Sequence, residues 1–206
     1  MPKAKAKAPQ KSRIQHQNQA VILKAALEVF SAYGYRGTTV DQIADKAGLS
    51  KPNLLYYFKR KEDIYIAVLE HTLDEWLKPL RMLDVDGDPM MELTRYISEK
   101  LDMSFANSPA SRLFANEILH GAPHIQKFLK GPLRELVDEK VKVIRQWIAA
   151  GKIKPVDPPH FIFAIWAVTQ HYADFSVQVA AVLGEEPEKE RLKRAVTEIL
   201  LRGLAS

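Results

Sequence analysis

The stretch from Thr38 to Asp63, TTVDQIADKAGLSKPNLLYYFKRKED, constrains the fold more than any other part of the chain. Thr39 can N-cap a helix, and Gln42 three residues later completes a capping box. Ile43, Ala44 and Ala47 form that helix's apolar side. Gly48 ends it, because glycine tolerates the left-handed conformation at a helix C-terminus. Leu49 plugs the turn, Ser50 caps a second helix, and Pro52 sits in its first turn, where a missing N–H costs nothing. Beyond Lys59-Arg60-Lys61, Glu62 opens another helical pattern. Two helices joined by a short, glycine-containing turn describe a helix-turn-helix, which places its second helix in the DNA major groove.

This segment resembles the DNA-binding domain of TetR-type repressors. The matching residues are Thr38-Thr39, Ile43-Ala44, Ala47-Gly48-Leu49-Ser50-Lys51, Leu54-Leu55-Tyr56-Tyr57-Phe58 and Lys61-Glu62. Leu55 stands where the family usually carries tyrosine. Leu54 and Phe58, four apart, are expected to pack into the head's core. Lys51, Asn53, Tyr56 and Tyr57 then point outward. Asn53 suits adenine and Lys51 suits guanine O6/N7, whereas Tyr56, Tyr57 and Lys61 suit phosphates. The resemblance implies DNA contacts at these positions and at Thr39.

Charge divides in the same place. Residues 1–62 hold 12 Lys/Arg against 4 Asp/Glu, and residues 63–206 hold 18 against 21. A basic head on a slightly acidic body is what phosphate neutralisation and electrostatic steering require. Residues 1–14 read as a disordered basic arm of the kind that can track a minor groove. They lack the apolar core of a secretory signal. There is no cysteine, which excludes disulfides and thiolate metal sites. No run of 18 apolar residues is present, so no membrane helix is expected and the location expected is cytoplasmic.

Elsewhere the periodicity is helical throughout, and the fold class expected is all-α. The domains expected are a three-helix head over 15–60 and a helical ligand-binding and dimerisation domain over 61–206. Helices are expected over 16–33, 61–80, 90–106, 110–119, from Pro123 to Ala150 with an irregularity near Gly131-Pro132, over 158–183 and over 187–203. Helix 158–183 is apolar on several sides and should be deeply buried.

The second half carries a narrower resemblance. Asn53–Phe58, Ser111–Phe114, Gly121-Ala122-Pro123 and above all Ile165–Phe175 (IWAVTQHYADF) resemble the pyrimidine-utilisation (Rut) subgroup of these repressors. That subgroup responds to uracil or thymine. The residues also make independent sense as a pocket. Trp166, Gln170 and Asp174 share one face of an apolar helix at four-residue spacing. A buried amide or carboxylate without a partner costs on the order of 1–3 kcal/mol. Gln170 offers a donor and an acceptor to a pyrimidine edge, and Trp166 and Trp76 offer flat apolar walls. Asn116 and Glu117 are weaker candidates. The bland alternative is that the tryptophans are core and that His171 and Asp174 form a structural pair.

Enzyme chemistry finds little support. His120 and His124 are separated by Gly121 and Pro123, which break the helix that would align them on a metal. His160 and His171 lack a carboxylate or thiol at recognised spacing, and there is no phosphate loop or nucleophile elbow. No cofactor and no metal are expected. The reading is a ligand-responsive repressor acting as a homodimer on a palindromic double-stranded operator. Half-sites would lie roughly 34 Å apart or a multiple of that. The last two helices would pair with their twins through Leu192, Val196, Ile199 and Leu200 in a four-helix bundle. A repressor of another small flat or hydrophobic molecule, or a ligand-independent DNA-binding protein, are the alternatives.

Overall fold

The computed structural model describes residues 8–106 and 108–204, and it is helical as expected. The chain forms two compact units, residues 1–71 and 72–206. The division falls inside one helix rather than at its start, the boundary expected from the sequence. The first half of the expected arm, residues 1–7, lies outside the described residues. Positions 8–14 belong instead to the first helix, α1 (Ala8–Gly37).

In the first unit, α1 is interrupted at Gly34, whose φ of 68° and ψ of 173° lie far from helical values. Thr38 locks this break: it is buried, and its hydroxyl donates to the Gly34 carbonyl at 2.8 Å. α2 (Val40–Ala47) and α3 (Lys51–Tyr57) follow as the sequence dictates. The Thr39 capping box is complete. Gly48 is left-handed at φ 67°, and Ser50 accepts from the Asn53 N–H. α4 (Lys61–Arg81) runs out of this unit. Ile22, Ala26 and Phe30 of α1, Ile43 and Ala44 of α2, Leu54 of α3 and Ile64 of α4 close one small core. Each fully buried Ile, Leu or Phe contributes about 1.5–3 kcal/mol.

The second unit contains α5 (Pro89–Ala106), α6 (Ser108–Leu119), α7 (Gln126–Phe128), a π-helical turn over Leu129–Leu133, α8 (Arg134–Ala149), α9 (Pro158–Asp174), α10 (Ser176–Leu183) and α11 (Lys189–Leu201). α9 is the hub and packs against α5, α6, α8, α10 and α11. Leu93, Ile97, Leu101, Ile144, Trp147, Ile162, Ile165 and Val196 fill the core between them. Asp157 caps α9 by accepting from the His160 N–H, with Pro158 opening its first turn. No helix among the described residues is long and apolar enough to cross a membrane.

Three expectations change. The helix expected from Pro123 begins at Gln126, because Gly121 and Ala122 both take positive φ and the Glu117 carboxylate holds the His124 N–H at 2.8 Å. The long helix 158–183 breaks at Phe175, whose φ of −113° and ψ of 28° separate α9 from α10. Leu192 and Val196, expected on a dimer stripe, are buried within the unit, leaving only Ile199 of that stripe strongly exposed.

Candidate functional site

In the head, α3 presents the residues that the sequence singled out. Leu54 is buried, so its neighbours Asn53 and Tyr56 face solvent, the latter 75% exposed. The Lys51 ammonium is held by Asp41 of α2 at 2.9 Å, in a solvent-exposed pair. Such pairs contribute under about 1 kcal/mol, so a phosphate or base edge can displace it. Tyr57 is half-buried; its hydroxyl accepts from Asn18 of α1 at 2.7 Å and its ring stands edge-on to Tyr56. Thr39 is exposed, but its hydroxyl is already engaged in the cap. Lys61 is occupied differently from expectation. Its ammonium donates to the carbonyls of Tyr35 and Thr38 at 2.7 and 2.8 Å and sits 4.5 Å above the Tyr35 ring. This lysine clamps α4 to the end of α1, and its donors are directed into the protein rather than at a phosphate.

In the second unit, three of the four expected pocket residues, Trp76, Trp166 and Asp174, meet side chains of α5 or α6. Trp166 donates its indole N–H to the buried Tyr96 hydroxyl at 2.6 Å. Burial pushes the Tyr96 phenol above its ordinary range, so it remains a neutral acceptor and donor. Asp174 accepts from the Ser111 hydroxyl, and Ser111 is itself buried. Trp76 is buried edge-to-face against Phe114, with ring centroids 5.5 Å apart. The Lys100 ammonium lies 5.2 Å from the Trp76 ring centre. Burial pushes Lys100 down to about 8, an effect that the negative charge of Asp174 partly opposes. Gln170, half-buried between Trp166 and Asp174 on α9, forms no side-chain hydrogen bond with another described residue.

The structure thus gathers Trp76, Lys100, Ser111 and Asp174 at one end of this cluster and Tyr96 with Trp166 at the other. Gln170 lies between them along α9. His171 is not Asp174's partner: it is exposed and stacked on Phe175 at 5.1 Å. The Glu117 carboxylate serves the 120–125 turn by accepting from the His124 N–H, and the backbone carbonyl of Asn116 meets the His120 ring. Lys100 was missed because lysine on a helix is read by default as solvated. The signal was its register: Leu93, Tyr96, Ile97, Lys100, Leu101 and Ser104 all lie on the buried face of α5.

Residues 22–68 match the family model for bacterial regulatory proteins of the tetR family, and residues 69–205 match that for the C-terminal region of YcdC-like proteins. The chain belongs to the TetR family. Its members are transcriptional regulators that bind DNA through the helix-turn-helix, and so does this chain; it is not an enzyme. The HTH-type transcriptional regulator RutR of Escherichia coli K12 is 50% identical over 174 residues, covering 84% of this chain and 82% of RutR. Among solved TetR structures, PfmR of Thermus thermophilus has a TM-score of 0.71 at 21% identity, covering 88% of this chain and 97% of PfmR. AibR, solved with isovaleryl coenzyme A and operator DNA, has a TM-score of 0.68 at 18% identity, covering 88% and 96%. At those identities the two structures establish the TetR fold and nothing narrower.

Proposed function

We propose that this TetR regulator represses genes of pyrimidine catabolism and leaves its operator when uracil or thymine binds the second unit. Gln170 carries the reading. Its carboxamide forms no hydrogen bond with another described residue and lies on a half-buried face, four residues from the Trp166 indole and four from the Asp174 carboxylate. An amide offers one donor and one acceptor, and the edge of a pyrimidinedione alternates N–H and C=O in the complementary order. Trp76 and Trp166 supply flat walls, and Asp174 supplies a further acceptor. Half-identity to RutR across most of both chains supports the same assignment, since the pyrimidine-utilisation subgroup responds to these bases.

On the DNA side, Lys51 and Asn53 read base edges, and Thr39, Tyr56 and Tyr57 fix the helix on the backbone. Lys61 is left out, because its donors are engaged by carbonyls. The regulator works as a homodimer on a palindromic operator, in the cytoplasm where that DNA lies. Support for the dimer comes from the exposed side chains of α9 to α11: Phe163, Phe175, Val177, Val182, Leu183 and Ile199 are all between 47% and 84% exposed. An apolar surface of that kind is what a second copy covers. Ligand has to favour the conformation whose heads no longer match the half-sites. α4, which begins at Lys61 and carries Trp76, is the covalent route between effector and head.

The test is a thermal-shift titration with uracil, thymine, cytosine and adenine. Uracil and thymine should raise the melting temperature in proportion to the logarithm of concentration, because a ligand selective for the native state stabilises by mass action. No shift at millimolar uracil or thymine would reject the reading.

A further inference from the structure

We propose that Lys100 and Asp174 form a donor–acceptor pair that selects a neutral lactam or imide edge, Lys100 giving a hydrogen bond to a ring carbonyl and Asp174 accepting one from the adjacent ring N–H. This rests on the assignment of the α5–α9 cluster as the effector site. Two lysines among the described residues are equally buried, Lys100 and Lys140, each 5% exposed. Lys140 is satisfied within the protein: it donates to the Leu83 carbonyl at 3.3 Å and pairs with Glu139 at 2.9 Å. Lys100 donates to no described residue and forms no ion pair within 4 Å with one; its ammonium lies over the face of Trp76. Desolvation of that ammonium is partly offset by the Trp76 ring face and by the charge of Asp174, which lies beyond ion-pair distance. An incoming oxygen acceptor removes that deficit. Asp174 has one oxygen taken by Ser111, and no other described residue donates to the carboxylate.

The pair also fixes the charge of the ligand. One ammonium and one carboxylate sum to zero, so a neutral molecule with adjacent C=O and N–H satisfies both. A carboxylate ligand gains at Lys100 but meets the like charge of Asp174.

The experiment is isothermal titration of the full-length protein with uracil and with uracil-6-carboxylate, comparing wild type, Lys100→Met, Lys100→Arg and Asp174→Asn, each checked for folding by circular dichroism. Wild type should prefer uracil. Lys100→Met should weaken uracil at least tenfold while remaining folded, and Lys100→Arg should recover part of the loss. Asp174→Asn should narrow the preference for uracil over its carboxylate. Wild type binding uracil with Lys100→Met unaffected would overturn the inference and leave the pyrimidine assignment standing. Wild type binding neither compound would overturn both.

Discussion

Replacing Lys100 by methionine should make the ligand-free protein more stable. Methionine has nearly the same length and volume, so the packing around Trp76 is kept. Lysine falls from its ordinary 10.5 to about 8 in the folded protein, chiefly through burial. At roughly 1.4 kcal/mol per pH unit, keeping the ammonium charged inside costs about 3 kcal/mol at neutral pH. The contact with the Trp76 ring returns about 1–2 kcal/mol of this when desolvated. A net gain of about 1–2 kcal/mol is therefore expected for the variant. The sign with pH follows from the lowered value. Below pH 8 both folded and unfolded chains hold the proton, and the whole cost is present. Between pH 8 and 10.5 the unfolded chain holds more protons than the folded one, so wild-type stability rises. The advantage of Lys100→Met should be full at about pH 7 and shrink towards about pH 10. Urea unfolding of both proteins at about pH 7 and about pH 9.5, at one protein concentration and without ligand, measures it. A variant less stable than wild type at neutral pH, or a difference that does not change with pH, would refute the reasoning.

Three further outcomes are expected. Lys61→Met should lower the unfolding midpoint of the head, since it removes two carbonyl contacts, yet leave the salt dependence of DNA binding almost unchanged; a slope reduced by about one in a log–log plot would show a phosphate contact instead. Lys51→Ala or Asn53→Ala should relax base preference at a single operator position by about 1–3 kcal/mol, measured by binding to a library of point-changed duplexes; unchanged preference would remove them as base readers. Val182→Glu, at a site 79% exposed, should leave the fold intact but shift the mass measured by light scattering from dimer to monomer.

The head was legible because its determinants are local. Thr39, Gln42, Gly48, Ser50 and Pro52 act on backbone groups within four residues of themselves, and all act as their chemistry dictates. The same holds for Asp157 at the start of α9. What the sequence left open depends on residues far apart in the chain. Lys61 looked like a phosphate ligand until the carbonyls of Tyr35 and Thr38, over twenty positions earlier, claimed it. Leu192 and Val196 have the same periodicity whether their stripe faces a second copy or the core of their own unit, and only packing decides. Lys100 illustrates the opposite error. Its register placed it on the buried face of α5, and residue type outweighed register in the reading. Asp174 found Ser111, 63 residues away, rather than His171 three residues away.

The central claim is that a pyrimidine in the second unit governs the head's hold on DNA. The most direct measurement is fluorescence anisotropy of the protein bound to a labelled duplex selected from a random pool, titrated with uracil or thymine. The account predicts that anisotropy falls to that of free duplex for wild type and stays high for Gln170→Ala, whose affinity for the duplex without ligand is unchanged. A complex that survives millimolar uracil and thymine, or a Gln170→Ala protein released as readily as wild type, would contradict it.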